Sequence, residues 1–292
     1  MKTIDTVAVL RATVTQWRAA GERVALVPTM GNLHVGHLQL VKKARAVADR
    51  VVVSIFVNPM QFGDASGGVN SDGDFERYPR TFGEDCKKLS AINHDPDVVF
   101  SPSVTEVYPS GFEQETRIEV PEISGILCGK FRPGHFAGVA TVVAKLFNMV
   151  QPDVALFGEK DFQQLLVIRR LAADLFFPIE IIGMPTVRED NGLAMSSRNQ
   201  YLSVDERKRA ALLYQTLQQA QQKIVAGDKN FSAIQMRASE QLSQAGFRLE
   251  YVEVRRALDL RPATEGDQEL VILVAAWLGE ARLIDNVCVF LP

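Results

Sequence analysis

The segment Val51-Val52-Val53-Ser54-Ile55-Phe56-Val57 is apolar at every position but one. A strand with one wet face alternates polar and apolar residues. A run that is apolar on both faces belongs inside a sheet covered on both sides. Shorter apolar runs stand at residues 24–27 and 154–157, and further strands are expected at 97–100 and 179–183. Stretches with helical spacing lie around and between them, at residues 3–20, 38–48, 80–92, 138–150 and 162–175. Buried strands alternating with helices wind into a parallel sheet, so the first part of the chain is expected to be α/β.

The pattern changes after Met184-Pro185. Ser203 followed by Glu206 is a capping box and opens a long helix expected over residues 203–225. A second helix is expected over 231–245. Strands at 247–254, 269–278 and 282–290 follow, the last two joined by a short turn at Gly279-Glu280. Consecutive strands with short turns give an antiparallel sheet, hence an α+β unit. A chain of 292 residues accommodates two such domains, expected at 1–184 and 185–292.

Charge and cysteine usage exclude several classes. The net charge is −3 and no lysine/arginine block stands out, so a nucleic-acid surface is not expected. The most apolar run, residues 270–278, is far shorter than the ~20 residues a membrane-spanning helix needs. The first ten residues contain Asp5 and lack the apolar core of a signal peptide. Cys86, Cys128 and Cys288 are widely spaced, odd in number and form no Cys-x-x-Cys pair. A reducing cytoplasm is the expected compartment. Residues 63–74, rich in Gly, Ser and Asp, read as a mobile surface loop.

The chemistry concentrates in Pro28-Thr29-Met30-Gly31-Asn32-Leu33-His34-Val35-Gly36-His37, between the first buried strand and a helix. A helix start presents unpaired N–H groups and partial positive charge. Two histidines three residues apart there would share one face and meet a phosphate together with those donors. The plainer reading is a pair of polar residues at a helix start, one of them a cap. Two of only four histidines in a single turn, beside Gly31 and Gly36, favour a site. A metal site is disfavoured, since no third His or Cys ligand lies nearby. Walker A and Gly-x-Gly-x-x-Gly sequences are absent.

Further candidates follow downstream. Gly158-Glu159-Lys160-Asp161 comes directly after a buried strand, where parallel sheets bind ligands. Lys160 would neutralise phosphate oxygens. Asp161 either binds magnesium through water or caps the helix. Gln163 or Gln164 would face the crevice. Met195-Ser196-Ser197-Arg198-Asn199 offers two hydroxyls and a guanidinium, a phosphate clamp or an ordinary polar loop. Gln61, in Asn58-Pro59-Met60-Gln61-Phe62, carries both donor and acceptor for a small substrate. Met30, Phe56 and Phe62 would be an apolar wall or simply core. Arg132 is a candidate for anion steering, and His135 is either catalytic or a structural hydrogen bond.

His34-Val35-Gly36-His37 resembles the HIGH signature of the nucleotidyltransferase superfamily. Met195-Ser196-Ser197-Arg198 resembles the counterpart of its KMSKS loop, with arginine in place of lysine. Together with Ser54 to Phe62, Tyr78-Pro79-Arg80, Arg132 to Phe136 and Gly158 to Asp161, these blocks resemble the pantothenate synthetase (pantoate–β-alanine ligase) family. The resemblance implies a Rossmann-like N-terminal domain, a smaller C-terminal lid and a cytoplasmic homodimer. It implies ATP with Mg²⁺, and pantoate and β-alanine as partners, joined through a pantoyl adenylate with release of AMP and pyrophosphate. It assigns ATP to Met30 through His37, Gly158 through Asp161, Val187 and Met195 through Arg198. His37 matches the family's proton donor. Gln61 matches a residue for pantoate and β-alanine, and Gln164 one for pantoate. The alternatives are a HIGH-motif enzyme acting on a phosphorylated small molecule and a non-catalytic nucleotide-binding module.

Overall fold

The computed structural model describes residues 1–62, 74–111 and 114–292. The larger sheet contains β1 (Lys2–Ile4), β2 (Val24–Thr29), β3 (Arg50–Ile55), β4 (Val98–Phe100), β5 (Val154–Gly158) and β6 (Glu180–Met184). All pairs are parallel, in the order β1-β4-β3-β2-β5-β6. The accompanying helices are α1 (Val7–Ala19), α2 (Val35–Val47), α4 (Phe82–Ser90), α7 (His135–Val150) and α8 (Phe162–Asp174). Single turns form α3 (Asp74–Arg77), α5 (Val104–Val107) and α6 (Cys128–Phe131). This is the Rossmann-like α/β arrangement.

The period of two along the strands sorts the core. Ala25 and Val27, Val51 and Val53, Val99, and Val154 and Leu156 pack on one face against Leu40, Val41 and Ala44 of α2 and Leu89 of α4. On the sheet's other side α1 and α7 pack against each other and against β2. From β2 the chain continues to β3 on one side of it, whereas β5 lies on the other. The carboxyl ends of β2 and β5 therefore mark the point where strand order reverses, where open parallel sheets bind ligands.

Two expectations are corrected. The spacing predicts one helix over residues 3–20, but Lys2, Thr3 and Ile4 pair with Val98, Val99 and Phe100 as an edge strand. The edge of β4 supplies a ladder for this short segment with two β-branched residues. The helix begins only at Val7, whose N–H donates to Glu106 Oε1 at 2.7 Å. The helix expected over 203–225 is interrupted at Ala211, giving α9 (Val204–Ala210) and α10 (Leu212–Val225). Its capping box is present: Glu206 N–H donates to Ser203 Oγ and Ser203 N–H to Glu206 Oε2. The loop expected at 63–74 lies outside the described residues, apart from Asp74 at the start of α3.

The second sheet is antiparallel, in the order β7 (Arg248–Arg256), β8 (Glu269–Leu278), β9 (Ala281–Phe290). Helices α10 and α11 (Phe231–Gln244) pack on it through Leu213, Leu217, Ile234 and Leu242. Gly279 turns the β8–β9 hairpin at φ 57°, and a Cβ there would meet Glu206 Oε1 at 2.2 Å. By contacts the chain forms two compact units. One is Met1–Glu159 with Val167–Met184; the other is Lys160–Leu166 with Pro185–Pro292. Among the described residues no helix is long and apolar enough to cross a membrane.

Candidate active site

In the first unit, β2 ends at Thr29 and the turn to α2 is set by Gly31 and Asn32, both at positive φ. A Cβ on Gly31 would lie 3.1 Å from Asp85 Oδ2 and 3.2 Å from Ile55 Cγ2, so the turn needs glycine here. Asp85, fully buried on α4, accepts the N–H groups of Asn32 and Leu33.

The expectation that His34 and His37 share a helix face is refined. His34 is the N-cap of α2 and His37 lies in its first turn. Gly36 N–H donates to His34 Nδ1 at 3.1 Å, and His34 N–H donates to His37 Nδ1 at 3.3 Å. The ring centroids are 4.1 Å apart. A backbone N–H only donates, so each Nδ1 accepts, and each neutral ring carries its proton on Nε2. The cap thus sets the tautomer of both imidazoles and makes Nε2 their donor at a helix N-terminus.

Gln61 sits in the 3₁₀ turn Pro59–Phe62 after β3 and is buried. Helix α7 holds this turn. Gly138 passes so close that a Cβ would lie 2.5 Å from the Met60 carbonyl oxygen. His135 Nδ1 is 2.9 Å from the Gln61 carbonyl, which only accepts, so Nδ1 donates. In the neutral ring Nε2 is then the acceptor for Arg132 Nη1, at 3.3 Å. His135 therefore links the Gln61 backbone carbonyl to Arg132. Asn58 and Tyr108 complete the polar set beneath Gln61, with Tyr108 Oη 2.7 Å from Asn58 Oδ1. Burial, then the charge of Glu115, holds the Tyr108 hydroxyl above the usual phenol range, so it is a donor.

In the second unit, Val187 and Met195 face each other, Met195 N–H donating to the Val187 carbonyl at 2.9 Å. Ser196 caps the 3₁₀ turn Ser197–Tyr201, accepting from Arg198 N–H at 3.2 Å, and its own hydroxyl proton is still available to donate. Asn199 is buried and donates to Glu189 and to the Ala194 carbonyl. Lys160 lines a small cavity with Ser196, Asn199 and Asp285. Asp285 is neutralised by Arg188, which grips it at 2.7 and 2.9 Å and stacks 3.5 Å from the Tyr214 ring. Asn286 donates to the Lys160 carbonyl at 3.0 Å. Gln163 is buried at the head of α8, whereas Gln164 is half-buried.

The candidate residues thus gather in two groups: Met30 to His37, Gln61, Arg132, Gly158 and Glu159 on one unit, and Lys160, Asp161, Gln164, Val187 and Met195 to Arg198 on the other. Sequence reasoning missed Asp85, Tyr108 and Arg188. Asp85 had a signal, since it sits four residues before the apolar Leu89 and so on the buried stripe of its helix.

The sequence profile of the pantoate–β-alanine ligase family matches residues 2–288. The chain belongs to that family. It is 54% identical over 286 residues to the pantothenate synthetase of Pseudomonas fluorescens (strain SBW25), covering 98% of both chains. Crystal structures agree. The pantothenate synthetase of Thermus thermophilus superposes with a TM-score of 0.89 at 44% identity, over 98% of this chain and 99% of that one. The pantoate–β-alanine ligase of Francisella tularensis, solved with β,γ-ATP and β-alanine, gives 0.78 at 34% identity, over 98% and 97%.

Proposed function

We propose that this chain ligates (R)-pantoate to β-alanine at the expense of ATP, giving pantothenate, AMP and pyrophosphate. A carboxylate is a poor electrophile, so its oxygen first attacks the α-phosphorus of ATP and expels pyrophosphate. The β-alanine nitrogen then attacks the acyl carbon of the pantoyl adenylate, and AMP leaves with the carboxylate oxygen it received.

The observation that carries this reading is the reciprocal capping of His34 and His37. It presents two Nε2–H donors at the start of α2, suited to charge growing on the α-phosphate. Lys160, Ser196, Ser197 and Arg198 take the β- and γ-phosphates and the leaving pyrophosphate. Met30 to Gly36, Gly158, Glu159 and Val187 line the nucleotide. Gln61 and Gln164 align the pantoate carboxylate, a proximity effect, and Arg132 steers the anion. Among the described residues no group of three or more His, Cys, Asp or Glu would hold a metal ion by itself. Magnesium bound to ATP phosphates needs only one or two carboxylates, and Asp161 fits that need through water. The enzyme is read as a cytoplasmic homodimer whose C-terminal unit, residues 185–292, is a lid over the adenylate.

The test is isotopic. With ¹⁸O in the pantoate carboxylate, one labelled oxygen should appear in AMP, and pyrophosphate should form before β-alanine is added. Release of ADP and phosphate, or unlabelled AMP, would overturn the reading.

A further inference from the structure

The amide of Gln61 has a donor end and an acceptor end, and the buried network beneath it decides which end meets a ligand. The chain of contacts starts at Asn58, which is buried. Met60 N–H donates to Asn58 Oδ1 at 3.3 Å, and Asn58 Nδ2 donates to the Gly138 carbonyl at 3.1 Å. A backbone N–H only donates and a carbonyl only accepts, so the Asn58 amide has a single allowed orientation. Tyr108 Oη, 2.7 Å from the same Oδ1, must then be the donor. Asn58 Nδ2 also reaches Gln61 Oε1, at 3.2 Å. The Gln61 side-chain oxygen is thereby turned to Asn58, from which it accepts one hydrogen bond. Its Nε2 points instead to Met30 Sδ, 2.8 Å away. A thioether is a weak acceptor, so this N–H loses little when a substrate oxygen replaces the sulfur.

We propose that Tyr108 is a positioning residue for substrate binding: through Asn58 it fixes the orientation of the Gln61 amide, so that its N–H end is offered to a substrate oxygen. This inference rests on the ligase reading and sharpens it. The pantoate carboxylate or a hydroxyl oxygen satisfies Gln61. If β-alanine touches the Gln61 N–H, it does so through its carboxylate. Tyr108 is itself held in place, since Lys145 Nζ lies 4.9 Å from its ring centroid and pairs with Glu115 at 2.6 Å.

The experiment is steady-state kinetics on the full chain. Tyr108→Phe should raise the KM for pantoate about tenfold, the scale of one net hydrogen bond, and leave the KM for ATP unchanged. In a Gln61→Ala background the same substitution should add nothing, because its effect passes through Gln61. Gln61→Glu, which replaces the donor by a second carboxylate, should raise the pantoate KM further than Gln61→Ala does. Should Tyr108→Phe fold poorly, Asn58→Asp gives the same reading: it removes the donor that engages Gln61 Oε1 and should raise the same KM. A fall in melting temperature with the pantoate KM unmoved, additive effects in the double variant, or a tolerated Gln61→Glu would each overturn the inference. A wild-type chain that forms no amide would overturn the ligase reading as well, so the two failures are distinguishable.

Discussion

The Asp85 carboxylate receives the backbone N–H of Leu33 on Oδ1 at 2.8 Å. Its other oxygen receives Asn32 N–H at 2.9 Å and the Thr81 hydroxyl at 3.1 Å. Three residues further along α4, Lys88 Nζ donates to the Leu33 carbonyl at 2.8 Å. One helix thus holds both backbone directions of the turn that precedes His34.

Removing that carboxylate should be costly. Asp85→Ala strands two N–H groups, each worth about 1–3 kcal/mol when buried and unpaired. The expected loss in a urea melt is about 2 kcal/mol or more, with slower pyrophosphate release as the turn relaxes. Asp85→Asn keeps one acceptor and should lose less. Wild-type stability in Asp85→Ala would remove the turn-holding role.

Gly138→Ala tests the contact between α7 and the Gln61 turn. The added Cβ meets the Met60 carbonyl oxygen at 2.5 Å and Gln61 N at 2.6 Å, both backbone atoms. Overpacking of this kind typically costs about 1–3 kcal/mol. Here it should also push Gln61 outward and raise the KM for pantoate, while Gly→Ala at exposed Gly21 or Gly227 should leave that KM unchanged.

Lys160→Ala should slow adenylate formation by about 10²–10³, the usual effect of losing one preorganised donor. Pantoyl adenylate supplied directly should react with β-alanine far less impaired. Equal slowing of both steps would place Lys160 elsewhere in the reaction.

Acid stability should depend on Asp97, at the amino end of β4. Burial pushes its carboxyl up, but the Val51 N–H, Arg50 and Arg45 together outweigh this and hold it below its ordinary range. A carboxyl depressed in the folded state stabilises above its unfolded pKa of about 3.9, and that contribution is lost as pH falls below it. Asp97→Asn should therefore be less stable at pH 7 by about 1.5–3 kcal/mol, the worth of charged hydrogen bonds. Melting curves of wild type and variant should converge as pH is lowered through the ordinary carboxylate range and below it.

The apolar strands β2, β3 and β5 were legible because burial on both faces leaves no room for polar residues. The β8–β9 hairpin and the Ser203 capping box were legible because each rests on neighbours within a few positions. Strand β1 was not, since three residues carry no periodicity and their partner, β4, lies almost a hundred residues away. Of the candidate site, His34, His37, Gln61 and the Ser196–Arg198 turn stand out by residue type in a short segment. Tyr108 and Asn58 are 50 residues apart, and nothing local marks either as the other's partner. The sequence leaves His135 open between chemistry and structure; in the structure its ring contacts Arg132 and the Gln61 backbone carbonyl.

The hydrogen bond from Asn286 to the Lys160 carbonyl spans 126 residues of chain. Lys160–Leu166 belongs by packing to a unit whose other members begin only at Pro185. On the ribosome the strands and helices of the first unit emerge well before Asn286 does, so this hydrogen bond forms only when nearly the whole chain has been made. The lysine proposed for the phosphates is therefore synthesised midway, while one contact on its backbone depends on almost the last residues of the chain.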